Sequence, residues 1–391
     1  QRDKSLVSLL VLTTLRRNGQ INIVLSKFIK KPLKKNLIVN YLLKISVAQI
    51  LYLEFPEYST VHSAVEISKK YKSEKFTNAV LRNICKNKKQ LIENIPTTNN
   101  IPDWIKKDLK GFLGEKRLAS IANQICKEPY IDINIKSKVF ESYEWEKILK
   151  GENVFKNIIR IKSQSNIVDL PFYKEGSWWV QGLSSSLPVY IISTIFKENK
   201  KKGTVLDVGA APGGKSFQLI DLGFKVKSIE ISKKRILTFN ANLNRLKINS
   251  KIINEDFLNA ELKEKFDCIL IDAPCSGSGL MQKKPEMLVV KKDISSLLLK
   301  QKKMLLRASS LVKDGGYIIY CVCSLLKVEG EKQIANFLND QKCFSTENFF
   351  SDILKFGVVL KSNTFLATPN SFGKRGGVDG FFIACLVKNK V

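Results

Sequence analysis

Residues 209–216 read GAAPGGKS, and the fold and ligand of this chain turn on what that glycine loop holds. Taken literally, the stretch satisfies the phosphate-loop pattern: a glycine, four residues, then Gly-Lys-Ser. Residues 268–274, CILIDAP, strengthen that reading, because four apolar residues followed by an aspartate look like the magnesium-holding strand of a phosphate-loop ATPase. The residues around the loop point to a different nucleotide. Pro212 removes an N–H from the middle of the loop, where a phosphate cradle presents its donors. Glu230 ends the next strand-like segment, a position at which a carboxylate suits a ribose diol. Asp256 follows the third, where it can hold an adenine amino group. A neutral-to-cationic adenosyl ligand such as S-adenosylmethionine uses these acids and needs no phosphate cradle. Each acid alone is equally well a solvated strand end; their order along one sheet carries the argument.

That order extends across residues 201–391. TVLDVG, VKSIEIS, SKIINED, DCILIDAP, YIIYCVCS and FFIACLVK predict strands separated by helical runs, an α/β, parallel, doubly wound, Rossmann-like sheet that binds ligands at the carboxyl ends of its strands. Residues 1–95 repeat positions, mostly apolar, at helical spacing (Ile38, Leu42, Ile45, Gln49 and Tyr52; Val61 and Val65; Phe76, Val80 and Ile84) and predict an all-α bundle. Pro56 breaks one helix and Ser59 or Thr60 is placed to cap the next. ENIPTTNNIP, residues 93–102, has the composition of a linker. Residues 101–200 read as a small α+β module, with one helix over 104–124 and strands in YIDINIK, NIIRIK and WWVQG.

The chain of 391 residues, 44% of them apolar, is long enough for two or three cores. Its longest apolar run, YIIYCVCSLL at 317–326, is well short of the roughly 18 residues of a membrane span. No signal peptide is visible, so a cytoplasmic protein is expected. The first residue is Gln1, and the helical domain is expected to be truncated at its start. A net charge of +29 favours a polyanionic partner through counterion release, although 55 lysines against 10 arginines also suit a compositional bias of the source genome. Eight cysteines without a CxxC pair, and a single histidine, His62, argue against a zinc site, metal catalysis or a histidine triad. His62 reads as an ordinary helix residue, and any nucleophile must be activated without it.

DVGAAPGGKS, DAPCSGSG (272–279) and CVCS (321–324) together resemble the signatures of the Sun/Fmu family of RNA cytosine carbon-5 methyltransferases, its ribosomal small-subunit methyltransferase B group in particular. VQGLSSS (180–186), Lys284-Pro285-Glu286 and GVDGFFIACLVK (377–388) extend the likeness. FTNAVLRNI (76–84) looks like the NusB-type domain appended in that group. Four positions depart from the family pattern. Gly209 stands where Cys is usual, which completes the phosphate-loop match; Gly182 replaces an acid; Asp132 stands where arginine is common; and Gly330 replaces Asn. Asp132 is expected to reverse a charge on an RNA-binding surface.

The resemblance implies S-adenosylmethionine as cofactor, held by Gly209, Ala210, Ala211, Pro212, Gly213, Gly214, Lys215, Glu230, Asp256 and Asp272. It implies that Cys323 attacks carbon-6 of a cytosine, that Cys275 helps the product leave, and that Asp272 hydrogen-bonds the base. Cysteine needs no histidine for this, because a small thiolate fraction is already strongly nucleophilic; a small buried residue at a strand end is the plain alternative for Cys323. Lys215 reads as a phosphate contact, an active-site cation or a surface lysine. Lys283, Lys284 and the α+β module are expected to grip backbone phosphates. The expected substrate is 16S ribosomal RNA in a free or partly assembled small subunit, with no membrane, no metal and no required oligomer. Alternatives are the same chemistry on transfer RNA, a phosphate-loop ATPase and a non-catalytic ribosome-assembly factor.

Overall fold

A computed structural model describes residues 2–30, 37–162, 166–198, 203–290 and 293–390. Contacts divide the chain into two compact units: Gln1–Lys127 with Met281–Lys291, and Glu128–Leu280 with Lys292–Val391. This differs from the expected boundaries. The break falls after Lys127 rather than near residues 95–101, and the expected 200/201 boundary lies outside the described residues. The segment holding Lys283 and Lys284 clusters with the helical unit instead of the sheet that precedes and follows it in sequence.

The first unit comprises α1 (Arg2–Arg16), α2 (Asn18–Phe28), α3 (Ile38–Tyr52), α4 (Glu57–Lys69), α5 (Glu74–Lys86), α6 (Lys88–Asn94), α7 (Asp103–Leu113) and α8 (Glu115–Ile125). Its core gathers Ile21, Val24, Leu43, Val47, Ile50, Leu81 and Ile84. Ile38 and Phe76, singled out by spacing, are exposed; α3 is apolar nearly all round, and the stripe it buries runs through Val39, Leu43 and Val47. α4 starts at Glu57, directly after Pro56, so Ser59 lies inside its first turn and donates to the Pro56 carbonyl instead of capping. The expected single helix over 104–124 is two, separated by Gly114 at φ +79°, a conformation that glycine adopts at little cost.

Residues 93–102 are not a linker. Asn100 is buried and exchanges hydrogen bonds with Gln20: its Oδ1 accepts from the Gln20 N–H (2.9 Å), and its Nδ2 donates to Gln20 Oε1 (2.9 Å). Gln20 Nε2 also donates to the Ile95 carbonyl (2.6 Å). The approach is so close that a Cβ on Gly19 would sit 1.8 Å from the Asn99 carbonyl oxygen. Met281–Lys291 returns to this unit, with Arg16 Nε donating to the Gln282 carbonyl (3.3 Å).

The second unit opens with an antiparallel sheet of β1 (Ile131–Ile135), β2 (Glu152–Phe155), β3 (Ile158–Ile161) and β4 (Trp178–Val180), in the order β2-β3-β1-β4, with short helices α9 (Ser137–Phe140) and α10 (Trp145–Ile148). The long helix α11 (Leu183–Glu198) leads out of it. A Rossmann-like succession follows: β5 (Thr204–Val208), α12 (Gly214–Asp221), β6 (Lys225–Ile229), α13 (Lys233–Leu246), β7 (Ile252–Ile253), β8 (Phe266–Asp272), α14 (Ser295–Leu311), β9 (Val312–Val322) and α15 (Glu331–Asp340). The chain ends through β10 (Phe344–Glu347), β11 (Val358–Val359), β12 (Phe365–Ala367) and β13 (Phe381–Lys388). The sheet order is β11-β12-β13-β9-β8-β5-β6-β7, with β10 also on β13. β7, β6, β5, β8 and β9 are parallel as expected, whereas β13 pairs antiparallel with β9, so the sheet is mixed. Strand order reverses between β5 and β8, which opens a crevice at their carboxyl ends. No helix among the described residues is long and apolar enough to cross a membrane.

Asp132 corrects a further expectation. It is buried on β1 and bound bidentately by buried Arg160 of β3, Nε to Oδ1 at 2.6 Å and Nη2 to Oδ2 at 3.0 Å. Asp132 therefore presents no charge to a surface. Arg160 Nη1 also donates to the carbonyls of Arg375 and Gly377, each at 2.7 Å, and Asp132 Oδ2 accepts the Leu183 N–H (2.8 Å) at the start of α11. Gly330 likewise leaves no room for the family's asparagine, since a Cβ would meet the Phe382 ring at 2.8 Å. Removing one partner of a buried ion pair strands the other charge. Asp132→Ala should lower stability by about 3–5 kcal/mol in denaturant unfolding, whereas the exposed pair Lys147–Glu144 (2.8 Å) should contribute less than about 1 kcal/mol.

Candidate active site at the carboxyl ends of the strands

A cleft of about 260 Å³ lies at the switch point. Gly209 after β5, Glu230 after β6, Asp256 after β7, Asp272 at the end of β8, Cys275 beyond it and Cys323 after β9 all line it. Of the predicted glycine loop only Gly209 reaches the lining; its φ of +77° lets the backbone pass so close to the Asp272 carbonyl that a Cβ would lie 2.7 Å from that oxygen. Ala210 and Ala211 pack into an apolar cluster with Trp179, Phe217 and Phe239. Pro212 is exposed, Gly213 takes φ +117° against the Phe217 ring, and Gly214 opens α12. These residues shape the loop rather than wall the cleft.

The acids offer acceptors. Glu230 is buried; its Oε1 accepts the Ser232 N–H (3.0 Å), while Arg235 lies 3.0 Å from Oε2 without hydrogen-bond alignment. Oε2 thus retains an acceptor position. Asp256 is half-buried and accepts the Leu258 N–H at Oδ1 (3.1 Å). Arg235 also donates to the Ala211 carbonyl and ties α13 to the glycine loop. Spare carboxylate acceptors beside a loop with a proline in its middle fit an adenosyl ligand and not a triphosphate. Deeper in the fold, Asp207 is fully buried and accepts from Ser216 Oγ (2.6 Å); burial pushes its carboxyl up to about 6, against the hydrogen bond.

Lys215 settles the phosphate-loop reading. It is buried, and its ammonium sits 2.7 Å from Asp272 Oδ2 and 5.5 Å from the centre of the Phe381 ring. Burial works against its charge, but the carboxylates of Asp272 and Asp207 outweigh burial and hold its pKa above the ordinary lysine value. It is neither a surface lysine nor free to grip a phosphate.

The thiols of Cys275 and Cys323 face each other at 3.1 Å. The hydrogen bond to Cys323, then burial, pushes the Cys275 thiol well above its ordinary value, so Cys275 keeps its proton. The CVCS stretch contains two candidate nucleophiles, and the structure separates them. Cys321 is fully buried in β9, donates to the Ile271 carbonyl (3.3 Å) and is pushed up by burial; Cys323 is half-buried in the cleft wall. Sequence reasoning missed Lys300 and Met304 of α14, which also line the cleft and follow a stretch with no motif to flag them. It also missed Glu329, whose Oε2 accepts from Ser276 Oγ (2.6 Å) and Ser324 Oγ (2.5 Å), the residues after the two thiols.

Residues 194–387 match the family described as 16S rRNA methyltransferase RsmB/F, and residues 1–86 match the NusB family. The ribosomal RNA small subunit methyltransferase B of Proteus mirabilis is 29% identical over 362 residues, covering 87% of this chain and 84% of the relative. The crystal structure of PH0851 has a TM-score of 0.75 at 24% identity, over 99% of this chain and 90% of its own. That of NSun6 from Pyrococcus horikoshii, solved with SFG, has a TM-score of 0.60 at 18% identity, over 75% of this chain and 99% of its own. Both structures are likenesses of fold. With a methyltransferase sheet and these two matches, the chain carries an RsmB/F-family RNA methyltransferase region over residues 194–387 and a NusB-family region over residues 1–86.

Proposed function

We propose that this protein methylates carbon-5 of a cytosine in 16S ribosomal RNA, in the cytoplasm, with S-adenosylmethionine as methyl donor. The observation that carries the reading is the pair of thiols facing each other at 3.1 Å in the cleft. Glu230 and Asp256 would hold the nucleoside part of the cofactor, which supplies an electrophilic methyl group when bound. Carbon-5 of cytosine is too weak a nucleophile to take that methyl unaided. The Cys323 thiolate adds to carbon-6, and the displaced electron pair makes carbon-5 nucleophilic.

Asp272 orients the base. Lys215 fixes its Oδ2, and Oδ1, which among the described residues meets a long 3.9 Å thiol contact from Cys321, would accept from the cytosine amino group. A fixed acceptor holds the base in register with the thiol without reorganising during the reaction. After methylation the carbon-5 proton passes to water and the carbon-6–sulfur bond breaks. Cys275, as a neutral thiol, donates to the departing Cys323 sulfur. The target base must leave its stack to meet these groups, which is least costly in a single-stranded loop. The helical unit, with Lys283 and Lys284, and the antiparallel sheet would supply RNA-backbone contacts.

Bisulfite sequencing of 16S ribosomal RNA and transfer RNA, from cells with and without the protein, tests the substrate; loss of methylcytosine confined to transfer RNA would overturn the ribosomal assignment. Cys323→Ala should abolish methylation and form no covalent complex. Cys275→Ala should transfer the methyl group and then stall as an RNA–protein adduct that survives denaturing electrophoresis and vanishes in the double variant; normal turnover by Cys275→Ala would reject its role. Glu230→Ala and Asp256→Ala should each weaken S-adenosylmethionine binding by about 1.5–3 kcal/mol, the range for a charged hydrogen bond, with RNA affinity nearly unchanged; calorimetry on both ligands reads the difference.

A further inference from the structure

Glu329 is fully buried and has no part in the mechanism above, yet its carboxylate gathers donors from both cysteine-bearing loops. Oε1 accepts from the Ser276 N–H (2.8 Å) and Gln301 Nε2 (3.1 Å); Oε2 accepts from Ser276 Oγ (2.6 Å) and Ser324 Oγ (2.5 Å). Ser276 follows Cys275 and Ser324 follows Cys323, so the residue after each thiol is tied to one carboxylate. Gln301 Nε2 also donates to the carbonyl of Pro274 (2.9 Å), the residue before Cys275.

The backbone N–H donors set part of this network. Ser324 Oγ receives the Leu326 N–H (3.0 Å), Ser278 Oγ receives the Leu325 N–H (2.9 Å), and Ser276 Oγ receives the Ser278 N–H (3.2 Å). Backbone N–H groups cannot reverse, and each hydroxyl has one proton to give. With Glu329 ionised, Ser276 and Ser324 direct their protons at it, and Ser278 Oγ directs its own at Ser324 Oγ (3.0 Å). An ionised carboxylate, an acceptor-only group, completes this network.

We infer that ionised Glu329 is a positioning residue for the two-cysteine step: by clamping Ser276 and Ser324 it holds Cys275 and Cys323 at their 3.1 Å approach, and its charge acts on Cys275. This rests on the covalent reading proposed above. Beside the Cys323 hydrogen bond and burial, the Glu329 charge adds to the upward push on the Cys275 thiol.

Glu329→Gln keeps the shape and removes the charge. Its amide can donate to the two hydroxyls if the serine chain reverses, so the variant is expected to fold. In the full chain, turnover should fall at least about 30-fold, a barrier change of about 2 kcal/mol, while S-adenosylmethionine affinity stays within about twofold. In a Cys323→Ala background, the pH midpoint for iodoacetamide alkylation of Cys275, followed by peptide mass spectrometry, should drop by about one unit when Glu329→Gln is added, as expected for loss of a neighbouring negative charge. An unmoved midpoint, or turnover within about threefold of the parent, overturns the inference. Should Glu329→Gln fail to fold, Ser324→Ala removes one clamp and keeps the charge. It should slow turnover about tenfold without moving the Cys275 midpoint, and parental turnover in that variant overturns the inference equally. Alkylation involves neither RNA nor methyl transfer, so its outcome is separable from that of the cytosine assignment.

Discussion

The ion pair between Lys215 and Asp272 couples the two halves of the cleft. β5 and β8 lie side by side in parallel register, Val208 opposite Ile271, so the glycine loop and the DAPC loop leave the sheet as neighbours. Lys215, in the first turn of α12, reaches across to Asp272 at 2.7 Å, and Gly209 lets the two backbones touch. A buried ammonium without its partner would be expensive, so the position of the loop and that of the Asp272 carboxylate are set together. The bond that assembles the site also takes from the loop the lysine that a phosphate grip requires.

Asp132 and Arg160 show the same logic elsewhere. Two departures from the family pattern, an acid at 132 and no acid at 182, look unrelated along the chain. In the fold they meet: the Asp132 carboxylate accepts the Leu183 N–H at the start of α11, beside the glycine at 182. Arg160, one strand over, supplies the compensating cation and carries the link on to the carbonyls at 375 and 377.

Much of the sheet was legible in sequence because parallel strands are buried on both faces and read as short apolar runs, as CILID and YIIYCV do. The site acids were legible because strand ends in this topology converge. What stayed hidden depended on contacts between distant residues. Composition marked 93–102 as a linker, but Asn100 satisfies Gln20, eighty positions earlier. Local chemistry proposed Ser59 as a cap, although Pro56 had already started the helix. Spacing alone could not choose between Cys321 and Cys323, since alternation along β9 sends one into the core and the other sits where the strand has ended. A surface lysine and one buried against an aspartate are written with the same letter.

The excursion of Met281–Lys291 into the helical unit has a consequence for biogenesis. A chain emerging from the ribosome folds its amino-terminal parts first, at about 5–20 residues per second. Here the helical unit reaches Lys127 and then waits for its last piece until the antiparallel sheet, the glycine loop and β8 have been made. At those rates the wait lasts on the order of ten to thirty seconds. Through that interval the face on α1 where Gln282 later docks stays uncovered on the nascent chain.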